Sequence, residues 1–122
     1  MVQEPTEDMI IAEQERRHFV RSAMLARSLR YPEGKIHELQ ARALWQMAAE
    51  WRNGAGTKSL ARQFRISRKN LEELLRKMIE ATSGHSDEKS LEPVFDYRTG
   101  KYLTFEEWLT ELMKNWNRIP DS

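Results

Sequence analysis

Residues 59–75, SLARQFRISRKNLEELL, constrain this chain more than any other stretch. They read as two short amphipathic runs hinged at Phe64-Arg65-Ile66-Ser67, with Leu60 and Ala61 on the first and Leu71, Leu74 and Leu75 on the second. Apolar residues three and four apart share one face of a helix, so both runs are helices, the second expected from about Arg68 to Ala81. A small residue at Ala61 lets the two helices cross closely, while Phe64, Ile66, Leu71 and Leu74 fill the wedge between them. Ser67 is the expected N-cap of the second helix, its hydroxyl accepting from an otherwise unpaired backbone N–H.

The same spacing organises the rest of the chain. Pro5-Thr6-Glu7-Asp8 carries a possible N-cap and two acids that complement the helix dipole, which predicts a long N-terminal helix over 7–30. On it Ile11, Ala12, Phe19, Ala23, Leu25, Ala26 and Leu29 form one broad apolar arc, and Val20 and Met24 interrupt the polar side. A core helix is expected from about Lys35, carrying Ile36, Leu39, Ala43, Leu44, Met47, Ala48 and Trp51, until Asn53-Gly54-Ala55-Gly56 stops it. Thr57 is the expected N-cap of the next short helix. Residues 82–93 lack periodicity and read as a loop. Val94-Phe95-Asp96-Tyr97 and Lys101-Tyr102-Leu103 are rich in strand formers and flank Arg98-Thr99-Gly100, which predicts a small hairpin. Thr104 and Glu107 fit a capping box, opening a last helix whose Phe105, Trp108, Leu109, Leu112, Met113 and Trp116 dock it by an aromatic face.

Thr57 to Met78 resembles the helix-turn-helix motif of bacterial and phage DNA-binding proteins, on Leu60-Ala61, Phe64, Ile66-Ser67, Leu71, Leu74 and Leu75. The resemblance implies a tri-helical unit over 35–81, whose third member is the helix from Lys35 to Arg52. Arg65 stands where such motifs commonly have glycine, because that residue often takes a left-handed conformation. The resemblance further implies that Ser67, Arg68, Lys69, Glu72, Glu73 and Arg76 form the exposed face of a recognition helix, whose N-terminal residues meet base edges in the major groove. Arg68 and Lys69 are then candidates for guanine or phosphate contacts and Arg76 for a phosphate further along, with Arg62 and Arg65 joining Arg68 and Lys69 as the DNA-binding bases at the N-terminal end of that helix. Glu72 and Glu73 either accept from cytosine or form surface pairs with Arg76 and Lys77. In winged variants a hairpin touches the adjacent groove, which makes Arg98 and Lys101 possible wing contacts; the alternative is a hairpin that braces the last helix.

The net charge of +1 conceals a sorted distribution. Residues 1–15 carry five acids and no base, 16–78 carry fifteen Lys and Arg against five acids, and 79–122 carry nine acids against five bases. A basic block of +10 between acidic ends is what phosphate binding requires, because Lys and Arg that neutralise phosphates release condensed counterions. Solvated helix faces account for the same charges without a partner.

Other chemistry has little footing. The chain has no cysteine, so disulfides, thiolate metal sites and cysteine nucleophiles are excluded. His18, His37 and His85 share no metal spacing. There is no glycine-rich phosphate loop, and the paired acids Glu106-Glu107 fit a helix's first turn. No apolar run nears the ~18 residues of a membrane span, and the N-terminus is acidic where a signal peptide is basic. The expectation is a cytoplasmic, non-enzymatic protein without cofactor, metal or evident small-molecule ligand. Its 122 residues form a single domain: a mainly α-helical bundle containing the tri-helical helix-turn-helix unit, a small C-terminal β-hairpin and a final helix. Double-stranded DNA is the expected partner, for a small transcriptional regulator or an accessory factor of a mobile element, with a homodimer through the N-terminal helix. The rival expectation is a scaffolding module whose basic tri-helical face binds an acidic protein.

Overall fold

A computed structural model describes residues 7–82 and 92–119 of the chain. It is mainly helical with one small antiparallel hairpin, and it divides into two compact units, Met1–Gln46 and Met47–Ser122.

The first unit holds α1 (Glu7–Glu15), α2 (Phe19–Ser28) and α3 (Glu33–Trp45). α1 packs on α2 and α2 along α3, over a core of Ile10, Ala23, Ala26, Ile36, Leu39, Ala43 and Leu44. The long helix expected over 7–30 is therefore two helices. The break falls at Arg17, whose backbone is left-handed at φ 62. Arg17 and His18 donate their backbone N–H groups to the carbonyls of Gln14 and Glu13, closing α1 in the manner of a Schellman motif. The His18 ring lies 2.6 Å from the Glu13 carboxylate, and the buried Gln46 amide donates to the Arg17 carbonyl. The break also rotates the apolar arc, so that Ile10 is buried and Ile11 is exposed. Val20 is half-buried and Met24 exposed. Pro32 stands at the N-cap of α3, which starts two residues before Lys35 because the fixed φ of proline suits a helix entrance.

A π-helical turn, Gln46–Glu50, follows α3 in the chain, and the second unit then holds α4 (Gly54–Gln63), α5 (Arg68–Thr82), β1 (Val94–Asp96), β2 (Lys101–Leu103), α6 (Phe105–Lys114) and a 3₁₀ turn, Trp116–Arg118. The π turn swings Trp51 out of the expected core stripe to 59% exposure. The glycines at 54 and 56 begin a helix here instead of stopping one. Asn53, not Thr57, is its N-cap: the Asn53 side chain accepts from the Gly56 N–H at 2.8 Å, and Thr57 is buried one turn in, its hydroxyl donating to the Asn53 carbonyl. A Cβ on Gly56 would lie 2.7 Å from the Met47 sulfur and 2.8 Å from the Asn53 side chain, so a larger residue there would have to displace the capping side chain.

α5 packs on α6 and α6 on β2. Leu71, Leu75, Leu103, Phe105, Leu109 and Leu112 are buried there, and α6 opens with the capping box of Thr104 and Glu107. The strands pair Val94 with Leu103, Phe95 with Tyr102 and Asp96 with Lys101. Of the loop expected over 82–93, Thr82 ends α5 and 83–91 lie outside the described residues. Of the tri-helical unit expected over 35–81, this unit carries the two helices and their turn, whereas α3 belongs to the first.

The local geometry of α2, its turn and the start of α3 is repeated by α4, its turn and the start of α5, 35 residues later in every bound. Leu25-Ala26-Arg27-Ser28-Leu29-Arg30 answers to Leu60-Ala61-Arg62-Gln63-Phe64-Arg65. Arg30 and Arg65 are left-handed at φ 56 and 59. Arg30 donates to Arg27 and Tyr31 to Ala26; Arg65 donates to Arg62 and Ile66 to Ala61. Even the buried hydroxyls correspond, with Ser22 donating to the His18 carbonyl as Thr57 does to Asn53. The likeness is one of hinge and not of packing, since α2 lies along α3 while α4 and α5 share little contact of their own.

Candidate nucleic-acid interface

The turn between α4 and α5 is built from the carbonyls it satisfies. The last C=O groups of α4 have no partner within the helix. Arg65 takes the left-handed region, at a cost of roughly 1–2 kcal/mol for a residue with a Cβ, and this lets two backbone N–H groups reach them. Ser67 then caps α5, accepting from the Asn70 N–H at 3.2 Å. The chain thus turns from one helix to the next in four residues.

Around this turn the structure gathers five of the expected contact residues. Arg62, Arg65, Ser67, Arg68 and Lys69 are all exposed. Arg65, Arg68 and Lys69 make no side-chain ion pair among the described residues. Three cations without acid partners at a helix N-terminus, itself a partial positive charge, leave a local potential that favours anions.

Arg76 is placed differently. Its guanidinium donates to Glu72 at 2.9 and 3.1 Å, reaches Thr110 of α6 at 3.4 Å and lies 3.9 Å from Glu106. It is held by its own helix and by α6, two turns away from Arg68. Glu72 is therefore a surface-pair residue. Glu73 and Lys77 are both exposed, and the corresponding pair is not formed among the described residues.

Two members of the basic block face inward. Arg52 donates to the carbonyls of Ala49, Leu103 and Glu92 at 3.0, 3.1 and 3.0 Å, and its guanidinium carbon lies 5.4 Å from the Phe105 ring centre. Burial lowers its pKa from the ordinary guanidinium value. Lys58 donates to the carbonyls of Trp116 and Ile119 at 3.0 and 2.9 Å, tying the 3₁₀ turn to α4.

At the hairpin, Gly100 takes the left-handed region at φ 72. The backbone N–H of Gly100 donates to the Asp96 carbonyl and that of Thr99 to its carboxylate. Arg98 and Lys101 are exposed at this end. Arg98 also lines a cleft of about 610 Å³ with Arg52, Asp96, Trp108, Glu111 and Arg118. Phe95 meets Tyr97 and Tyr102 edge-on, with ring centres 5.0 and 5.3 Å apart, and all three rings are exposed. Sequence reasoning missed this aromatic cluster because a three-residue strand gives too short a pattern to tell its faces apart. It missed the first hinge as well, although the repeated Leu-Ala-Arg-x-x-Arg at 25–30 and 60–65 was there to be found.

Among the described residues no group of three or more His, Asp or Glu could hold a metal ion, and no helix is long and apolar enough to cross a membrane. Comparison of the chain with protein-family models, curated proteins and solved structures gives no match.

Proposed function

We propose that the chain binds double-stranded DNA through the turn between α4 and α5, as a small regulator or an accessory factor of a mobile element. The observation that carries this reading is the exposed trio Arg65, Arg68 and Lys69, none in an ion pair among the described residues, at the capped start of a fifteen-residue helix. Glu72, the acid nearest that helix start along the paired face, is neutralised by Arg76. The N-terminal end of α5 is the part that meets DNA, and Arg98 and Lys101 on the hairpin are auxiliary backbone contacts.

Titration with a random-sequence duplex at two salt concentrations tests the reading. Phosphate-driven binding weakens steeply with salt, by orders of magnitude for ~6–10 contacts between 50 and 200 mM. Arg68→Ala and Lys69→Ala are expected to weaken binding with unchanged circular dichroism, since both side chains are exposed. Absence of binding at low salt removes the proposal and favours an acidic protein as partner; loss of fold in either variant removes this placement of the recognition helix.

A further inference from the structure

Among the described residues, every non-glycine residue with a left-handed backbone is an arginine: Arg17, Arg30, Arg52 and Arg65. Each closes a helix. Glycine is the residue that takes this position without strain, and asparagine is the usual substitute. Arginine offers the backbone nothing at such a site, so its side chain must account for it.

For Arg52 the structure supplies the account, and Arg17 is not free. Arg52 spends its guanidinium on three carbonyls and the Phe105 ring, and Arg17 is engaged as well, its backbone carbonyl accepting from the Gln46 amide. Arg30 and Arg65 differ. Both are exposed, and neither makes a side-chain hydrogen bond or ion pair among the described residues. They also occupy equivalent places in the two repeated hinges, each with a second arginine, Arg27 or Arg62, three residues before it. Glu33, the acid closest in sequence to Arg30, is 3.5 Å from His37 instead. The helix that follows the first hinge carries Glu33 and Glu38 near its start, with Glu38 beside Lys35 and Arg42, where the second carries Arg68 and Lys69. The first copy lacks a basic reading helix but keeps the basic hinge.

We infer that Arg30 is a phosphate contact matched to Arg65, so that each unit carries its own hinge for the DNA backbone while only the second copy reads bases. The inference rests on the DNA-binding reading above and adds to it a site in the first unit, Arg27 and Arg30. At each hinge, strain in the backbone is retained for a guanidinium held at a fixed point outside the helix end.

Replacing each arginine by glycine separates its two effects. Arg30→Gly and Arg65→Gly relieve the strained backbone and are expected to raise Tm. Each is also expected to weaken binding of a random-sequence duplex several-fold at low salt, and to reduce the slope of log K against log salt by about 0.9, the loss of one phosphate contact. Arg30→Lys keeps the charge and retains the slope. Lys114→Gln removes an exposed cation on α6 and leaves both quantities unchanged. A raised Tm with wild-type affinity and slope for Arg30→Gly overturns the inference while Arg65→Gly still tests the second hinge. A lowered Tm for Arg30→Gly overturns it too, by showing that the arginine serves the fold. If the wild-type chain binds no duplex at low salt, the parent reading fails and this one with it.

Discussion

The guanidinium of Arg52 donates to three carbonyl oxygens and lies over the Phe105 ring, so its charge is consumed inside the second unit. In sequence it was one of fifteen bases in a block of +10 and indistinguishable from its neighbours. Lys58 is the same case. Residue type and spacing reveal a charge but not its direction, because long cationic side chains reach either solvent or a nearby carbonyl from the same backbone position. Arg52→Ala leaves the Leu103 and Glu92 carbonyls without this donor and is expected to destabilise the fold by about 1–3 kcal/mol, measured by urea denaturation. Arg68→Ala, which removes a charge of the same sign, is expected to change stability by less than about 0.5 kcal/mol. A destabilisation by Arg68→Ala equal to that of Arg52→Ala would show that both arginines are structural.

Helix existence was legible where apolar periodicity ran cleanly, as in α5 and α6, and the capping box of Thr104 and Glu107 marked one start to the residue. Helix ends were less legible. The break at Arg17 carries neither glycine nor proline, and the entrance of α4 carries two glycines that ordinarily mean a stop. At Arg17 a bond from a residue remote in sequence, the Gln46 amide, holds the carbonyl of the break; at α4 a local bond, Asn53 accepting from the Gly56 N–H, turns the glycines into a helix start. α5 itself holds a testable balance between stability and charge, because Glu72 neutralises Arg76. Glu72→Gln gives up an i,i+4 pair worth roughly 0.2–0.5 kcal/mol, yet it removes a negative charge from the helix that carries the proposed DNA contacts and leaves Arg76 with Thr110 and Glu106. Its duplex affinity at low salt is expected to exceed that of the wild type, and unchanged affinity would place Arg76 outside the interface.

Among the described residues each unit contains one carboxylate whose protonation the fold resists. In the first, the hydrogen bond from His18 and then the charge of Arg21 hold Glu13 below the ordinary carboxylate range. In the second, the backbone N–H of Thr104 and then its hydroxyl do the same for Glu107. The unfolded chain therefore binds protons more readily than the folded one, so stability rises with pH through this window. The contribution of each is fully present above the ordinary glutamate value of about 4.3 and disappears as pH falls through the depressed folded values. Thermal unfolding followed from pH 6 to pH 3 is expected to show this loss, and Glu13→Gln and Glu107→Gln each to flatten it; an unaltered profile in both variants would assign acid sensitivity to other groups. The arginine-closed helix ends carry a consequence for inheritance as well. Every arginine codon lies a single base change from a glycine codon, so the conformationally cheaper residue is always one mutation away at Arg30 and Arg65. Selection for folding alone would let both sites drift to glycine, and a lineage without the proposed DNA contact would be expected to lose these two arginines before it lost Arg52.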